Sequence, residues 1–123
     1  MTEKPGSALK VALAYYEAWT RKDFEQAMNY ISDDIVCEAP AGRIEGVDAY
    51  RAFMAPFLLI VKDVQLIGAF GDDQTAMVMY DTETVPVKSA PGAECVTVKD
   101  GKITRSRFVF DRWPFQAARE AAT

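Results

Sequence analysis

Apolar and polar positions along this chain follow two different periods, and the change from one to the other falls near Asp63. Before it, Leu9, Ala12, Leu13, Tyr16 and Trp19 recur at the i, i+3, i+4, i+7 spacing of one helix face. That spacing predicts a helix from an N-cap at Ser7 to about Arg21. Val11, Tyr15 and Ala18 widen the stripe, so this helix is expected to be covered on more than one side. Asp23 followed by Gln26 has the form of a capping box, and Phe24, Ala27, Met28 and Ile31 predict a short amphipathic helix ended by Ser32-Asp33-Asp34. Ile35 to Ala39 reads as a short strand stopped by Pro40 and Gly42. After Gly46, Val47, Tyr50, Phe53, Met54, Phe57, Leu58 and Val61 predict a third helix, which Pro56 should kink or end because it has no amide hydrogen.

From Asp63 onward the period is two. Strands are predicted near 63–70, 75–87, 93–99 and 102–111. Gly71-Asp72-Asp73-Gln74 and Ser89-Ala90-Pro91-Gly92 are the expected turns between the first three, and Asp100-Gly101 is a two-residue hairpin signal. The tail is expected to pack Trp113, Pro114 and Phe115 and then fray. Three helices followed by a four-strand antiparallel meander define a single α+β domain over residues 1–123. Such a sheet can hold a long helix in its concave face and leave a cavity between them. Strands 75–87 and 102–111 are apolar on both faces, so helices should cover one face and a second subunit the other, as a homodimer through the sheet.

Composition narrows the possible functions. Half of the residues are apolar, enough for a packed core. The net charge is −4 with scattered acids, which argues against a nucleic-acid partner. No stretch approaches the ~18 apolar residues of a membrane span. The opening Met1-Thr2-Glu3-Lys4-Pro5-Gly6-Ser7 lacks a secretory apolar segment, so a cytoplasmic protein is expected. Cys37 and Cys95 read as reduced, buried thiols. The absence of histidine removes Ser-His-Asp and Cys-His pairs and His-ligated metals, leaving carboxylates, tyrosines and arginines for any chemistry. No cofactor or metal is expected.

Several side chains could carry such chemistry in a pocket for an apolar small molecule. Asp81 shares parity with Met77 and Met79; it is either a desolvated acid or base on an apolar face, or a rim residue held by backbone amides. Asp111 ends the last strand, where it could move a proton at the pocket mouth or cap the tail. With a two-residue turn at Asp100-Gly101, Glu94 should stand opposite Arg107, as a cross-strand ion pair or as a pocket acid beside a ligand-binding arginine. Tyr15 is the tyrosine best suited to donate to a ligand oxygen. Trp19, Phe110 and Trp113 are candidate pocket wall, and Glu38 either points inward beside them or sits on an exposed strand.

The stretch Ala14-Tyr15-Tyr16-Glu17-Ala18-Trp19-Thr20-Arg21-Lys22-Asp23-Phe24 resembles the first helix and turn of nuclear-transport-factor-2-like proteins. Ser32-Asp33-Asp34-Ile35-Val36-Cys37-Glu38, Ile44-Glu45-Gly46-Val47 and Lys99-Asp100-Gly101-Lys102-Ile103 continue the resemblance in order, closest to the polyketide-cyclase-like (SnoaL-like) branch. The resemblance implies a conical, cystatin-like fold, with the three helices packed in a strongly bent antiparallel sheet and an apolar pocket at the wide end. It implies candidate roles as well. Relative to ketosteroid isomerases, Tyr15 falls at the oxyanion-holding tyrosine and Glu94 near the second acid, while Ala39 stands where the proton-shuttling aspartate would be. Relative to limonene epoxide hydrolases, Asp111 matches the catalytic aspartate and Asp81 lies near the second, while Met79 replaces an arginine. The implied enzyme is a cofactor-free isomerase, cyclase or hydrolase on an apolar, oxygenated substrate; the alternative is a non-catalytic binding or dimerisation domain.

Overall fold

The computed structural model describes residues 6–122; the opening stretch through Pro5 lies outside the described residues. Its elements are α1 (Ser7–Thr20), α2 (Phe24–Met28), β1 (Ile31–Ala39), β2 (Gly42–Glu45), α3 (Val47–Ile60), β3 (Val61–Gly71), β4 (Thr75–Thr84), β5 (Ala90–Lys99), β6 (Lys102–Phe110) and α4 (Trp113–Ala122). The strands form one open sheet in the order β2-β1-β6-β5-β4-β3. All neighbours are antiparallel except β1 and β6, which run parallel. The fold is the expected α+β packing of helices on a bent sheet, with six strands where five were predicted; β2 is the addition. Bulges in the β1–β6, β3–β4 and β5–β6 ladders bend it.

α1 lies across β3 to β6, burying Ala8, Ala12, Tyr15, Tyr16, Ala18 and Trp19, while α3 lies against β1 and β2. The core between them includes the fully buried Trp19, Tyr50, Ile35, Ile103 and Cys37. Asp23 caps α2 as predicted, accepting a bond from the Gln26 amide over 3.3 Å. Asp100 and Gly101 take positive φ values of 53° and 77°, the left-handed pair that a tight hairpin turn requires.

Several boundaries differ from the sequence reading, each for a local reason. Gly6, not Ser7, is the N-cap of α1, and the Ser7 hydroxyl instead donates to the Asp73 carbonyl over 3.0 Å. Ser32-Asp33-Asp34 belongs to β1, in the irregular stretch where its register against β6 shifts. Gly42 starts β2 and so continues the sheet past Pro40. Pro56 sits inside α3 without ending it. The β4–β5 turn falls earlier than predicted because Thr84 closes it, with its hydroxyl and amide both bonded to Val87. Pro91 is tolerated in β5 because pairing with β6 begins only at Gly92. The tail, for which no element was predicted, forms the helix α4, whose Phe115 meets Phe110 edge-to-face at 6.0 Å. Among the described residues, no helix is long and apolar enough to cross a membrane.

Candidate functional site

Period two carries every second residue of β4 and β5 into the core. Ala76, Val78, Tyr80, Thr82 and Thr84 form the buried row of β4. In β5 the corresponding row holds Ala90, Glu94, Val96 and Val98, so a carboxylate stands among apolar side chains. Glu94 is 4% exposed and faces Val78 on one side and Phe108 on the other. The Tyr80 hydroxyl donates to its Oε1 over 3.3 Å, and the Ser106 hydroxyl reaches its Oε2 over 3.5 Å. No cation pairs with it among the described residues. Burial pushes its pKa from 4.5 up to about 8, the two hydroxyl contacts opposing that rise. At neutral pH the neutral acid therefore predominates and can itself donate.

A second buried pair flanks it. The hydroxyls of Tyr15 and Tyr50 share a short hydrogen bond. Burial first, and then for Tyr15 the negative charge of Glu94, holds the two phenols well above the usual tyrosine range, and Tyr80 is held there for the same reasons. Cys37 pairs with Ser106 across β1 and β6, and burial with Glu94 nearby pushes its thiol up to about 12. This core is a set of proton donors around one ionisable acid.

Beside that cluster is a cavity of about 410 Å3. This lies inside the range of small-molecule pockets, roughly 300–1,000 Å3. One wall is the α3 stripe Phe53, Pro56, Phe57 and Ile60. Facing it are Tyr80 and Thr82 of β4, Gly92 of β5, and Phe108 and Phe110 of β6. Trp19 from α1 joins them, with its ring edge-on to Tyr80 at 5.2 Å. Its indole Nε1 is buried without a hydrogen-bond partner among the described residues. Arg112, Phe115 and Arg119 complete the lining from the C-terminal segment. Tyr80 thus belongs to both regions, lining the pocket while its hydroxyl meets Glu94. Among the described residues no three His, Cys, Asp or Glu side chains converge as a metal site would need.

The sequence candidates separate into two groups. Tyr15 and Glu94 share the buried cluster, and Trp19 and Phe110 line the pocket. Asp81 does not face the cavity: it lies on the outer row with Met77 and Met79, and its carboxylate accepts from the Ser89 hydroxyl at 2.9 Å. Asp111 is exposed, its Oδ1 accepting from the Trp113 amide over 2.9 Å, and Trp113 is exposed beside it. Glu38 is paired with Arg43 at 3.3 Å and, with Arg107 and Phe110, lines a second, more open pocket of about 430 Å3 on the β1–β6 side.

The expected Glu94–Arg107 pair is corrected. Thr97 pairs with Arg105 and Val98 with Ile103, so Thr104 is an extra residue in β6 and its hydroxyl bonds the Thr97 carbonyl over 3.3 Å. That bulge moves the facing residue from Arg107 to Phe108, leaving Arg107 exposed between Cys95 and Glu38. Sequence reasoning also passed over Tyr50, Ser106, Arg112 and Arg119. The signal for Ser106 was its shared parity with Phe108, since both face the core; for Arg112 and Arg119 it was their spacing about Phe115.

The family model of the SnoaL-like domain matches residues 12–106. A crystal structure from Kribbella flavida DSM 17836 is 56% identical, with a TM-score of 0.93 over 95% of this chain and 97% of that one. An NTF2-like protein from Cytophaga hutchinsonii ATCC 33406 superposes with a TM-score of 0.76 at 18% identity, covering 94% and 99% of the two chains. An LEH-like epoxide hydrolase from M. tuberculosis does so with a TM-score of 0.74 at 20% identity, covering 93% and 90%. No curated protein matches the sequence.

Proposed function

The chain belongs to the SnoaL-like domain family, and from that premise we propose that it is a cofactor-independent acid–base enzyme acting on an apolar, oxygenated small molecule. The observation that carries the reading is Tyr80, which lines the cavity while its hydroxyl meets a buried acid that has no counter-cation. In the mechanism the Tyr80–Glu94 bond reverses from the direction it has in the structure: neutral Glu94 donates to the Tyr80 oxygen and the phenolic hydrogen turns to a substrate carbonyl oxygen. As a solvent water takes a proton from the carbon next to the carbonyl, negative charge developing on that oxygen draws the Tyr80 proton toward it while Glu94 resupplies Tyr80. Return of a proton from water to the carbon and the reverse transfer along Tyr80 and Glu94 restore the site. Tyr15 and Tyr50 keep water out of the cluster and supply it with neutral dipoles. In this mechanism Asp111 and Asp81 are not proton carriers, because neither meets the pocket.

A second reading, ligand binding without turnover, draws on the absence of Glu94 itself from the pocket lining. Exchange of the α-protons of 2-tetralone in deuterated buffer, followed by NMR, separates the two. Catalysis predicts acceleration that Glu94→Gln and Tyr80→Phe abolish while both variants still bind the ketone. Binding without acceleration would leave only the second reading.

We also propose that a second copy of the chain covers the outer face of the sheet. Phe70 pairs with Met77, and Met79 lies in one cross-strand row with Ala93 and Val109, so four exposed apolar side chains form a continuous patch.

A further inference from the structure

Among the described residues lining the pocket, Arg112 and Arg119 carry the only formal charges. They are held on one side of the C-terminal segment. The Gln116 amide donates to the Arg112 carbonyl over 3.1 Å, so helical geometry begins at Arg112 and brings 112, 115 and 119 to a common face. Phe115 lies between the two arginines and anchors that face on Phe110 at the rim of β6. Neither guanidinium has an ion-pair or hydrogen-bond partner among the described residues, although the chain has 18 acidic side chains to 14 basic ones. The nearest acids in sequence are otherwise engaged: Asp111 accepts from the Trp113 amide and Glu120 accepts from Gln116. Arg43 and Arg51, by contrast, are paired with glutamates.

A lone arginine on an open surface is satisfied by water. Two of them, exposed at the edge of an apolar cavity, offer positive charge to an anion whose body is buried, a task that guanidinium groups suit. The opposite demand comes from Trp19, 1% exposed, whose unpartnered indole N–H calls for an acceptor oxygen.

We propose that the pocket takes a carboxylic acid with an apolar ring or chain as its body, its carboxylate held at the mouth by Arg112 and Arg119 and a second oxygen directed toward the buried wall. The proposal rests on the reading of this cavity as a small-molecule site and adds the charge of its ligand. Hydrophobic burial supplies most of the affinity, and the arginines select the anion over its neutral analogue.

The test uses 6-acetyl-2-naphthoate and its methyl ester, which share a body and a ketone and differ in charge, with affinity read from quenching of tryptophan fluorescence. The acid is expected to bind roughly tenfold tighter than the ester at low salt, and the preference should shrink as salt is raised. In Arg112→Gln/Arg119→Gln the acid loses about tenfold in affinity relative to the ester, so the preference disappears; Arg112→Lys/Arg119→Lys retains part of it. Equal affinities, or a preference that survives in the double Gln variant, overturn the anion proposal and leave the pocket standing. If neither probe binds the folded wild-type protein, the small-molecule site and the anion proposal fall together.

Discussion

Phe108, not Arg107, stands across β5 and β6 from Glu94. One extra residue, Thr104, makes that difference, and it decides the electrostatics of the core. Opposite an arginine, Glu94 would have a counter-cation that favours its ionised form. Opposite a phenylalanine, it is an acid kept mostly neutral at neutral pH by burial.

That protonation state is visible in stability. The pKa of Glu94 in the folded protein, about 8, lies above its ordinary 4.5, so the folded state keeps a proton that the unfolded chain releases. The associated stability is fully present below about pH 4.5 and is lost as pH rises through about 8, by an amount on the order of a few kcal/mol. Urea denaturation across this window should show wild type losing stability relative to Glu94→Gln as pH rises. Parallel curves for the two proteins would show that Glu94 ionises normally.

Tyr15 and Tyr50 should couple strongly. Tyr15→Phe or Tyr50→Phe alone leaves a buried hydroxyl without its partner and costs about 1–3 kcal/mol. The double variant should cost less than the sum of the two. Denaturant midpoints of the four proteins measure the cycle, and strict additivity would mean that the two hydroxyls do not depend on each other.

Gly92 controls the size of the cavity. A methyl group there would meet the Val109 carbonyl oxygen at 3.4 Å, Phe110 Cβ at 3.5 Å and Tyr80 Cε2 at 3.8 Å, close but tolerable contacts, so Gly92→Ala should fold and bind normally. Gly92→Leu extends into the cavity and should weaken ligand binding about tenfold or more with little change in the Glu94 titration. Calorimetric titration with 2-tetralone reads the first effect, and undiminished affinity would place the ligand elsewhere.

Met79→Asp puts a charge at the centre of the outer apolar row. Sedimentation velocity should show a wild-type dimer and a monomeric variant that remains folded. A monomeric wild type at tens of micromolar would leave the patch without its proposed occupant.

The helices were legible because Ala12, Tyr16 and Trp19 repeat at a spacing that only one helix face explains, and the Asp100-Gly101 turn because few dipeptides accept positive φ twice in succession. The wall of the pocket was only partly legible. β4 alternates Ala76, Val78 and Tyr80 with Met77 and Met79, so both rows are apolar and parity alone could not say which one faces inward. Asp81 was placed with the apolar row that turned out to be the outer one. The bulge at Thr104 left no trace in hydrophobicity, since an inserted threonine between Ile103 and Arg105 changes no pattern that burial depends on. The Trp113–Ala122 helix was hidden by its lack of a buried stripe; it is held at its start and turns its other faces to solvent.

The parallel seating of β1 beside β6 has a kinetic consequence. During synthesis the first strand emerges long before its neighbour and has only the short β2 to pair with. Ile31, Ile35 and Cys37 therefore wait without their final cover until the Asp100-Gly101 hairpin has formed and brought β6 alongside. Sequence-distant pairing of this kind slows folding, so this hydrophobic edge is where a nascent chain would most need shielding from its neighbours.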